Sequence, residues 1–460
     1  FHNMTNANGD AVVRCYVKGA PDVILARATS VRTDENPAVP LDGTTRPRVE
    51  AINEEIAKQG MRVLATAERD FDPATFDLNA DLLNVVEDLN LLAMVGIVDP
   101  PRTEARDAIA ECHSAGIRVR MITGDHAVTA GAIAKQLGIE GRALTGAEFN
   151  KMSDEELDAQ LDDIGVIARV APEDKIRLVS LLQKQNKIVA MTGDGVNDAP
   201  ALKRADIGVA MGQRGSDVSR EVADLVLLDD NFATIAAAVE EGRGIYANIL
   251  KFIRFLFSTN VALVLLIAIG VTGAAILNLR DDAGNLLVPL LAVQLLWINI
   301  IADGPPALAL GLDRNPGMMR QRPRPPSAPL LTPAGLRFIF TTGSLKAGVG
   351  LALFFGLPAL GYAAAVIQTA VFLYESLAQL AFAYPARRIH TRPIPNRVLN
   401  AIVAASVVLQ VLTITFAPLR TMLGLVPLPG SVVAMVAAAL LITVMGTEIW
   451  TRRSPHSTEA

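Results

Sequence analysis

The sequence predicts a multidomain chain, α/β in a soluble front half and all-α in a membrane-embedded back half with six transmembrane helices. Three observations carry this. Charge is divided along the chain: residues 1–246 hold 40 acidic and 26 basic side chains, residues 247–460 hold 7 and 16. Hydrophobic residues make up 51% of the 460 and charged ones only 19%, too apolar for an ordinary soluble protein and too ordered in pattern for a disordered one. In the front half, two short apolar runs end in the same tripeptide, Thr-Gly-Asp, at 123–125 and at 192–194. The acidic front half also excludes a nucleic-acid binder, which would present a basic face.

Between about Leu89 and Val226, β-branched runs alternate with helical patterns, the signature of a parallel sheet with crossover helices. Ile117–Ile122, Lys187–Met191 and Ile207–Ala210 read as strands; Ala127–Leu137 and Asp198–Arg204 read as helices. In open α/β sheets the ligand sits at the carboxyl ends of the strands, so both Thr-Gly-Asp loops are expected to face one site. The second loop continues as Gly195-Val196-Asn197-Asp198-Ala199-Pro200. Its glycines permit a tight turn. Asp194 and Asp198 offer two hard carboxylates of the kind a Mg²⁺ site for phosphoryl transfer needs, and Asn197 offers a donor to a phosphate oxygen.

Six apolar runs follow, at about 252–277, 286–311, 335–357, 363–384, 397–418 and 429–450. Each reaches the roughly 20 residues needed to cross a bilayer, and lipid leaves a single segment no alternative to helix. Lys251, Arg254, Arg314, Arg320, Arg322, Arg324, Arg387, Arg388, Arg392, Arg397, Arg452 and Arg453 fall on one side of these spans. Arg280, offset by Asp281 and Asp282, and Arg420 fall on the other. The excess places the soluble half and both chain ends in the cytoplasm. Cys15 and Cys112, far apart and in no paired motif, read as reduced structural thiols. The chain begins at Phe1 and reads as part of a longer polypeptide.

Within the second run, Asn299 and Asp303 are four apart and share a helix face, and Gly304-Pro305-Pro306 is expected to break the helix near mid-bilayer. An aspartate at that depth is costly unless it binds something, and oxygen ligands suit a hard cation. Asn260 and Glu375 are further intramembrane polar groups, each able to bond a neighbouring helix instead. Lys346 in the third run reads either as snorkelling to an interface or as a built-in countercharge. No intramembrane Cys/His cluster points to a soft metal.

The 192–200 string, with Asp99-Pro100-Pro101-Arg102, Met121-Ile122-Thr123-Gly124-Asp125 and Ala168-Arg169-Val170-Ala171-Pro172-Glu173-Asp174-Lys175, resembles the P-type cation-transporting ATPases. The resemblance implies a haloacid-dehalogenase-like phosphorylation domain over 89–246 and the C-terminal part of an α+β nucleotide-binding domain over 1–88. A transmembrane domain over 247–453 and a cytoplasmic tail over 454–460 complete the chain. It implies that Thr123 and Gly124 contact the transferred phosphate, that Asp125 belongs to the same catalytic set, that Lys175 neutralises the phosphate charge, that Asp194 holds Mg²⁺, and that Asn197 and Asp198 complete the pocket. Lys18, in Lys18-Gly19-Ala20-Pro21, Arg62, in Met61-Arg62-Val63-Leu64-Ala65, and Arg169 would contact ATP. Positive charge there suits a polyanionic nucleotide.

Compared with the two-site calcium pump of sarcoplasmic reticulum, Asn260, Asn299, Asp303 and Glu375 match liganding positions, whereas Leu263 and Ala302 replace a Glu and a Thr. Neither replacement can coordinate a hard cation, so one of the two sites is expected to be lost. The Asp-Gly-Pro-Pro-Ala string looks more like the secretory-pathway and bacterial Ca²⁺/Mn²⁺ pumps. The family's phosphorylated Asp, within Asp-Lys-Thr-Gly, is not in this sequence. An acyl phosphate needs that nucleophile, so the pump function, with Ca²⁺ or Mn²⁺ as cargo, belongs to a parent polypeptide that includes the other half. The alternatives are a monovalent-cation or proton pump of the same kind, and a phosphatase-like or catalytically dead membrane protein. High Ala and Arg usage points to a bacterial plasma membrane.

Overall fold

A computed structural model describes residues 1–6, 8–59, 61–77, 82–97, 101–388 and 394–453. Asp99 and Pro100, Arg392 and the tail 454–460, all named above, lie outside the described residues, as do the side chains of Arg452 and Arg453. The chain divides into two compact units, Phe1–Ala236 and Ala237–Ala460.

The first unit opens with a six-stranded sheet of β1 (His2–Thr5), β2 (Ala11–Gly19), β3 (Ala28–Val31), β4 (Val39–Pro40), β5 (Arg62–Phe71) and β6 (Leu89–Ile97), in the order β1-β2-β5-β6-β3-β4. Every pairing is antiparallel except β3 with β6. One face packs Ala65, Ala67, Leu89 and Leu91 against Ile24 and Leu25 of the helix Pro21–Arg27 and Val49 of the helix Thr45–Lys58. The run from Leu89 thus belongs to this sheet rather than to the parallel one, because Asn90–Ile97 pairs along β5 and Leu89 pairs with β3. Cys15 and Cys112 are both free and buried, and burial pushes the Cys15 thiol upward.

The rest of the unit carries two parallel three-stranded sheets. β7 (Met121–Thr123), β8 (Arg142–Thr145) and β9 (Ile164–Ala168) stand in the order β7-β9-β8. β10 (Ala190–Gly193), β11 (Ile207–Met211) and β12 (Leu225–Leu227) stand in the order β10-β11-β12. β7 and β10, which end in the two Thr-Gly-Asp loops, are both edge strands. β7 starts four and β10 three residues later than the sequence pattern suggests. Ala190 pairs with Ile207, the first residue of β11, so β10 begins where its partner does, whereas β7 begins at Met121, opposite Val166, two residues into β9. Arg120, inside the expected strand, turns its side chain to the carbonyls of Leu161 (2.9 Å) and Ile164 (3.1 Å). Ala127–Leu137 is helical as expected, closed by Gly138 in the left-handed region at φ 76°.

Among the described residues, six helices are long and apolar enough to cross a membrane: Phe232–Ile276, which begins in the first unit and runs into the second, and Ala292–Gly311, Pro333–Ala359, Ala364–Ala386, Arg397–Thr415 and Gly430–Thr451 in the second. The first begins well before the apolar run that announces it. The second begins at Ala292 rather than 286, because residues 280–290 form a loop tied by a bridge between Arg280 and Leu286. The fourth is the most enclosed, with Phe372, Tyr374, Glu375, Ala378 and Gln379 all buried.

The expected break at Gly304-Pro305-Pro306 is instead a change of helix type. Ile298–Asp303 is π-helical, and the Gly304 N–H reaches the Asn299 carbonyl five residues back. The two prolines then start the α-helix Gly304–Gly311. A proline N–H is missing there, and the carbonyl of Ile301 is served by the Ser406 hydroxyl of the fifth span at 3.3 Å.

Just past the second span, Asp313 is buried among cations. Arg387 donates to it through Nε (2.9 Å) and Nη2 (2.7 Å), Lys251 through Nζ (2.8 Å) and Asn396 through Nδ2 (3.2 Å). Burial works against the charge, yet the bonds from Arg387 and Lys251 hold this carboxyl below the ordinary carboxylate range. Stability from the network is therefore present above the unfolded carboxyl pKa and is lost as pH falls through the lower folded value. Asp313→Asn leaves two buried cations without a counterion. It should cost about 3–5 kcal/mol and flatten the acid limb of stability, measured by thermal unfolding of the full chain in detergent across pH.

Candidate functional site

The parallel sheets bring part of the predicted phosphate site together. Lys175 stands in the first turn of the helix Pro172–Lys184, whose N-terminus is closed by Asp174 Oδ2 accepting from the Ala171 N–H at 2.8 Å. Its Nζ lies 2.5 Å from Asp198 Oδ1, with side-chain exposures of 18% and 10%. Asp198 Oδ2 accepts from the Gly195 N–H at 3.1 Å. A Cβ on Gly193 would lie 2.5 Å from the Cβ of Asp198, so the close turn requires glycine there. Both Asp198 oxygens are therefore engaged. In this structure Asp198 is ion-paired with the lysine.

Asp194 and Asn197 are exposed. The Asp194 backbone carbonyl is held by the Ser216 N–H (2.9 Å) and the Ser219 hydroxyl (3.3 Å), which leaves its carboxylate on a fixed backbone with no hydrogen-bond donor against it among the described residues. One free hard carboxylate fits Mg²⁺, which binds through one or two carboxylates and completes its octahedron with water and phosphate oxygens.

The first loop is built separately. The Thr123 hydroxyl donates to Asp125 Oδ2 (3.2 Å) and accepts from the Asp125 N–H (3.1 Å). Arg169, at the end of β9 with φ 51°, donates its N–H to the Asp125 carbonyl at 3.2 Å. Thr123, Gly124, Asp125 and Arg169 thus form one cluster, and Lys175, Asp198 and Gly195 another. Among the described residues no hydrogen bond joins the two. Ile122 of β7 packs with Met191 of β10, Ala201 and Leu202, so the strands behind the loops share a core.

Lys18 and Arg62 sit on the six-stranded sheet. Lys18 pairs with Thr66, and Arg62 lies four residues from Thr66 on the same strand. With the two-residue period of a strand, both cations project from one face, and both are exposed.

In the membrane unit, Asp303 is 5% exposed. Its Oδ1 accepts from Gln379 Nε2 of the fourth span and from the Thr259 hydroxyl of the first at 3.4 Å. Asn299 and Asn260 are exposed, so the α-helical spacing that paired Asn299 with Asp303 does not put them in one environment. Glu375 is fully buried against Lys346, whose Nζ lies 2.8 Å from Oε2. Lys346 does not snorkel; it is 0% exposed. Leu263 and Ala302 are buried among apolar neighbours. Thr259, Gln379 and Ser406 carry no motif that marks them in the sequence. Gln379 was findable, since it stands one helical turn beyond Glu375.

Comparison with known proteins fits both units. Residues 23–206 match the family described as haloacid dehalogenase-like hydrolase, and residues 287–453 match that of cation transporting ATPase, C-terminus. The chain is 38% identical over 451 residues to a calcium-transporting ATPase of Bacillus subtilis, covering 95% of this chain and 48% of that protein. It belongs to the P-type cation-transporting ATPases. Two other relatives of this P-type ATPase chain differ in the cargo of their names. A cation-transporting ATPase of Synechocystis is 45% identical over 322 residues, 69% of this chain and 34% of the relative. A sodium/potassium exporting P-type ATPase of Schizosaccharomyces pombe is 40% identical over 324 residues, 67% and 30%. The chain spans less than half the length of these curated relatives.

Proposed function

We propose that this chain is the part of an ATP-driven pump that positions ATP and phosphate and holds one divalent cation, Ca²⁺ or Mn²⁺, in the membrane. The observation that carries the reading is Asp303: a buried carboxylate on a π-helical stretch of an otherwise apolar span, a costly placement that cation binding accounts for. The calcium-transporting names of relatives from Bacillus subtilis, Bacillus cereus and Aspergillus fumigatus support Ca²⁺. The Schizosaccharomyces pombe relative keeps a monovalent cation as the second reading.

In this reading Lys18 and Arg62 draw the nucleotide polyanion to one face of the six-stranded sheet, with Arg169 adding a cation beside the first loop. Thr123 and Gly124 present hydroxyl and backbone N–H to the phosphoryl group, and Asp125 fixes the Thr123 hydroxyl. Lys175, steered by Asp198, meets the phosphate charge, and Asn197 donates to a phosphate oxygen. Asp194 would hold Mg²⁺, which supplies charge neutralisation to the transferring phosphoryl group. The nucleophilic carboxylate would come from another part of the parent polypeptide. Asp303, with Asn299 and Asn260 toward the exposed side, would hold the cation. The Lys/Arg bias favours the soluble unit on the cytoplasmic side of a bacterial plasma membrane.

The test is acid-stable phosphoenzyme formed from ATP by the full-length protein, with Ca²⁺, Mn²⁺, Na⁺ and K⁺ titrated separately in the presence of Mg²⁺. Stimulation by Ca²⁺ or Mn²⁺ at about 10⁻⁷–10⁻⁵ M, the range of selective oxygen sites, is expected. Stimulation by Na⁺ or K⁺ alone favours the second reading, and no phosphoenzyme under any ion overturns both.

A further inference from the structure

The resemblance counts Glu375 among the cation ligands, yet the residues around it assign it elsewhere. Lys346 on the third span and Glu375 on the fourth are both 0% exposed, and Nζ lies 2.8 Å from Oε2. Apart from that ammonium, no hydrogen-bond donor serves either carboxylate oxygen among the described residues. Neither charge is tenable at that burial without the other. The seat is shaped for the pair. Gly350 stands one turn along from Lys346, and a Cβ there would lie 2.8 Å from Glu375 Oε1 and 3.2 Å from the Tyr374 ring. The Tyr374 hydroxyl donates to the backbone carbonyl of Lys346 at 2.9 Å, fixing the turn that carries the lysine.

The same ammonium donates to Gln379 Oε1, and Gln379 Nε2 donates to Asp303 Oδ1. One amide therefore separates Lys346 from the carboxylate assigned to the cargo. Leu263 and Ala302, buried nearby on the first and second spans, add no side-chain oxygen.

We propose that Lys346 is a tethered resident cation: its ammonium takes the place beside Glu375 that a second metal ion would occupy, withdrawing Glu375 from the transport site and leaving one ion per cycle at Asp303. The proposal rests on the pump reading above and deepens it. An ammonium on a four-carbon stem cannot leave with the cargo, so it satisfies Glu375 in every state of the cycle.

Two variants of the full-length protein test this, each read by ions bound per phosphoenzyme and by the ion concentration that half-stimulates phosphorylation. Lys346→Met strands Glu375 as a free carboxylate, and the bound ratio should rise from one toward two. The double variant K346M/E375L removes the pair together. Buried ion pairs exchanged for apolar side chains are commonly tolerated, so it should keep one ion and half-stimulation within about threefold of wild type. Phosphorylation by inorganic phosphate without transported ion checks that each variant is folded. A ratio unchanged in folded Lys346→Met overturns the resident-cation role. Lost ion stimulation in the folded double variant returns Glu375 to the ligand set and overturns the proposal even if the single variant does not accumulate. A wild type that responds to no cation instead removes the pump reading and this inference with it.

Discussion

Asp303→Asn in the full-length protein should abolish cation-stimulated phosphoenzyme while leaving ATP binding intact. Asparagine keeps the shape of the side chain and can still accept from Gln379 and Thr259 through its oxygen, so the packing around the π-helical stretch is preserved. What disappears is the negative charge. Loss of a partner one shell beyond a metal costs about 10–100-fold in affinity, so loss of this carboxylate should weaken half-stimulation by more than about 100-fold. Asp303→Ala should do the same and also leave the Gln379 amide without its acceptor. Nucleotide binding, which is assigned to Lys18 and Arg62 in the other compact unit, is the internal control. Full ion stimulation in Asp303→Asn would remove Asp303 from the transport site and the second span from the ion path.

The parts of this structure that could be read from the sequence are those in which one residue's chemistry is nearly sufficient. Six apolar helices follow from what lipid does to an unpaired backbone, and the strand-end loops follow from Thr-Gly-Asp repeated at the ends of β-branched runs. What could not be read depends on partners. Residues 117–120 have strand-like side chains but do not join the ladder that pairs β7 with β9, and Leu89–Ile97 has a partner in β5 that the local pattern does not name. Gly304-Pro305-Pro306 signals trouble for an α-helix, but whether the chain unwinds or shifts to π-helix turns on Ser406, about a hundred residues away, capping Ile301. Asp198 is the same kind of case. Beside Asp194 in sequence it looks like a second ligand, and its ion pair with Lys175 at 2.5 Å could not be read from the spacing. Lys346 was equally ambiguous until Glu375 was seen across the helix interface, because the length of a lysine stem permits both a surface and a buried destination.

Lys175→Ala should slow phosphoryl transfer from ATP by about 10²–10³-fold, the cost of removing one preorganised electrostatic donor from a transition state. The lysine is held by a short contact to a carboxylate that is itself fixed by the Gly195 N–H, so its charge arrives at the strand ends already oriented. Alanine removes the charge and leaves Asp198, 10% exposed, facing the phosphate as a bare anion. The loss is then repulsion added to missing attraction. Lys175→Arg keeps the charge but replaces a point donor with a planar fork, and should recover only part of the rate. Asp198→Asn weakens the anchor while keeping the lysine, and its rate should fall between wild type and Lys175→Ala. In all three, half-stimulation by the transported cation should stay at the wild-type concentration, the opposite of Asp303→Asn. Rapid-quench measurement of phosphoenzyme formation at saturating ion reads the rate, and the ion titration reads the affinity. A wild-type rate in Lys175→Ala would move phosphate neutralisation to Arg169, the cation beside the first loop, and would make the Lys175–Asp198 pair a structural tie of the helix Pro172–Lys184.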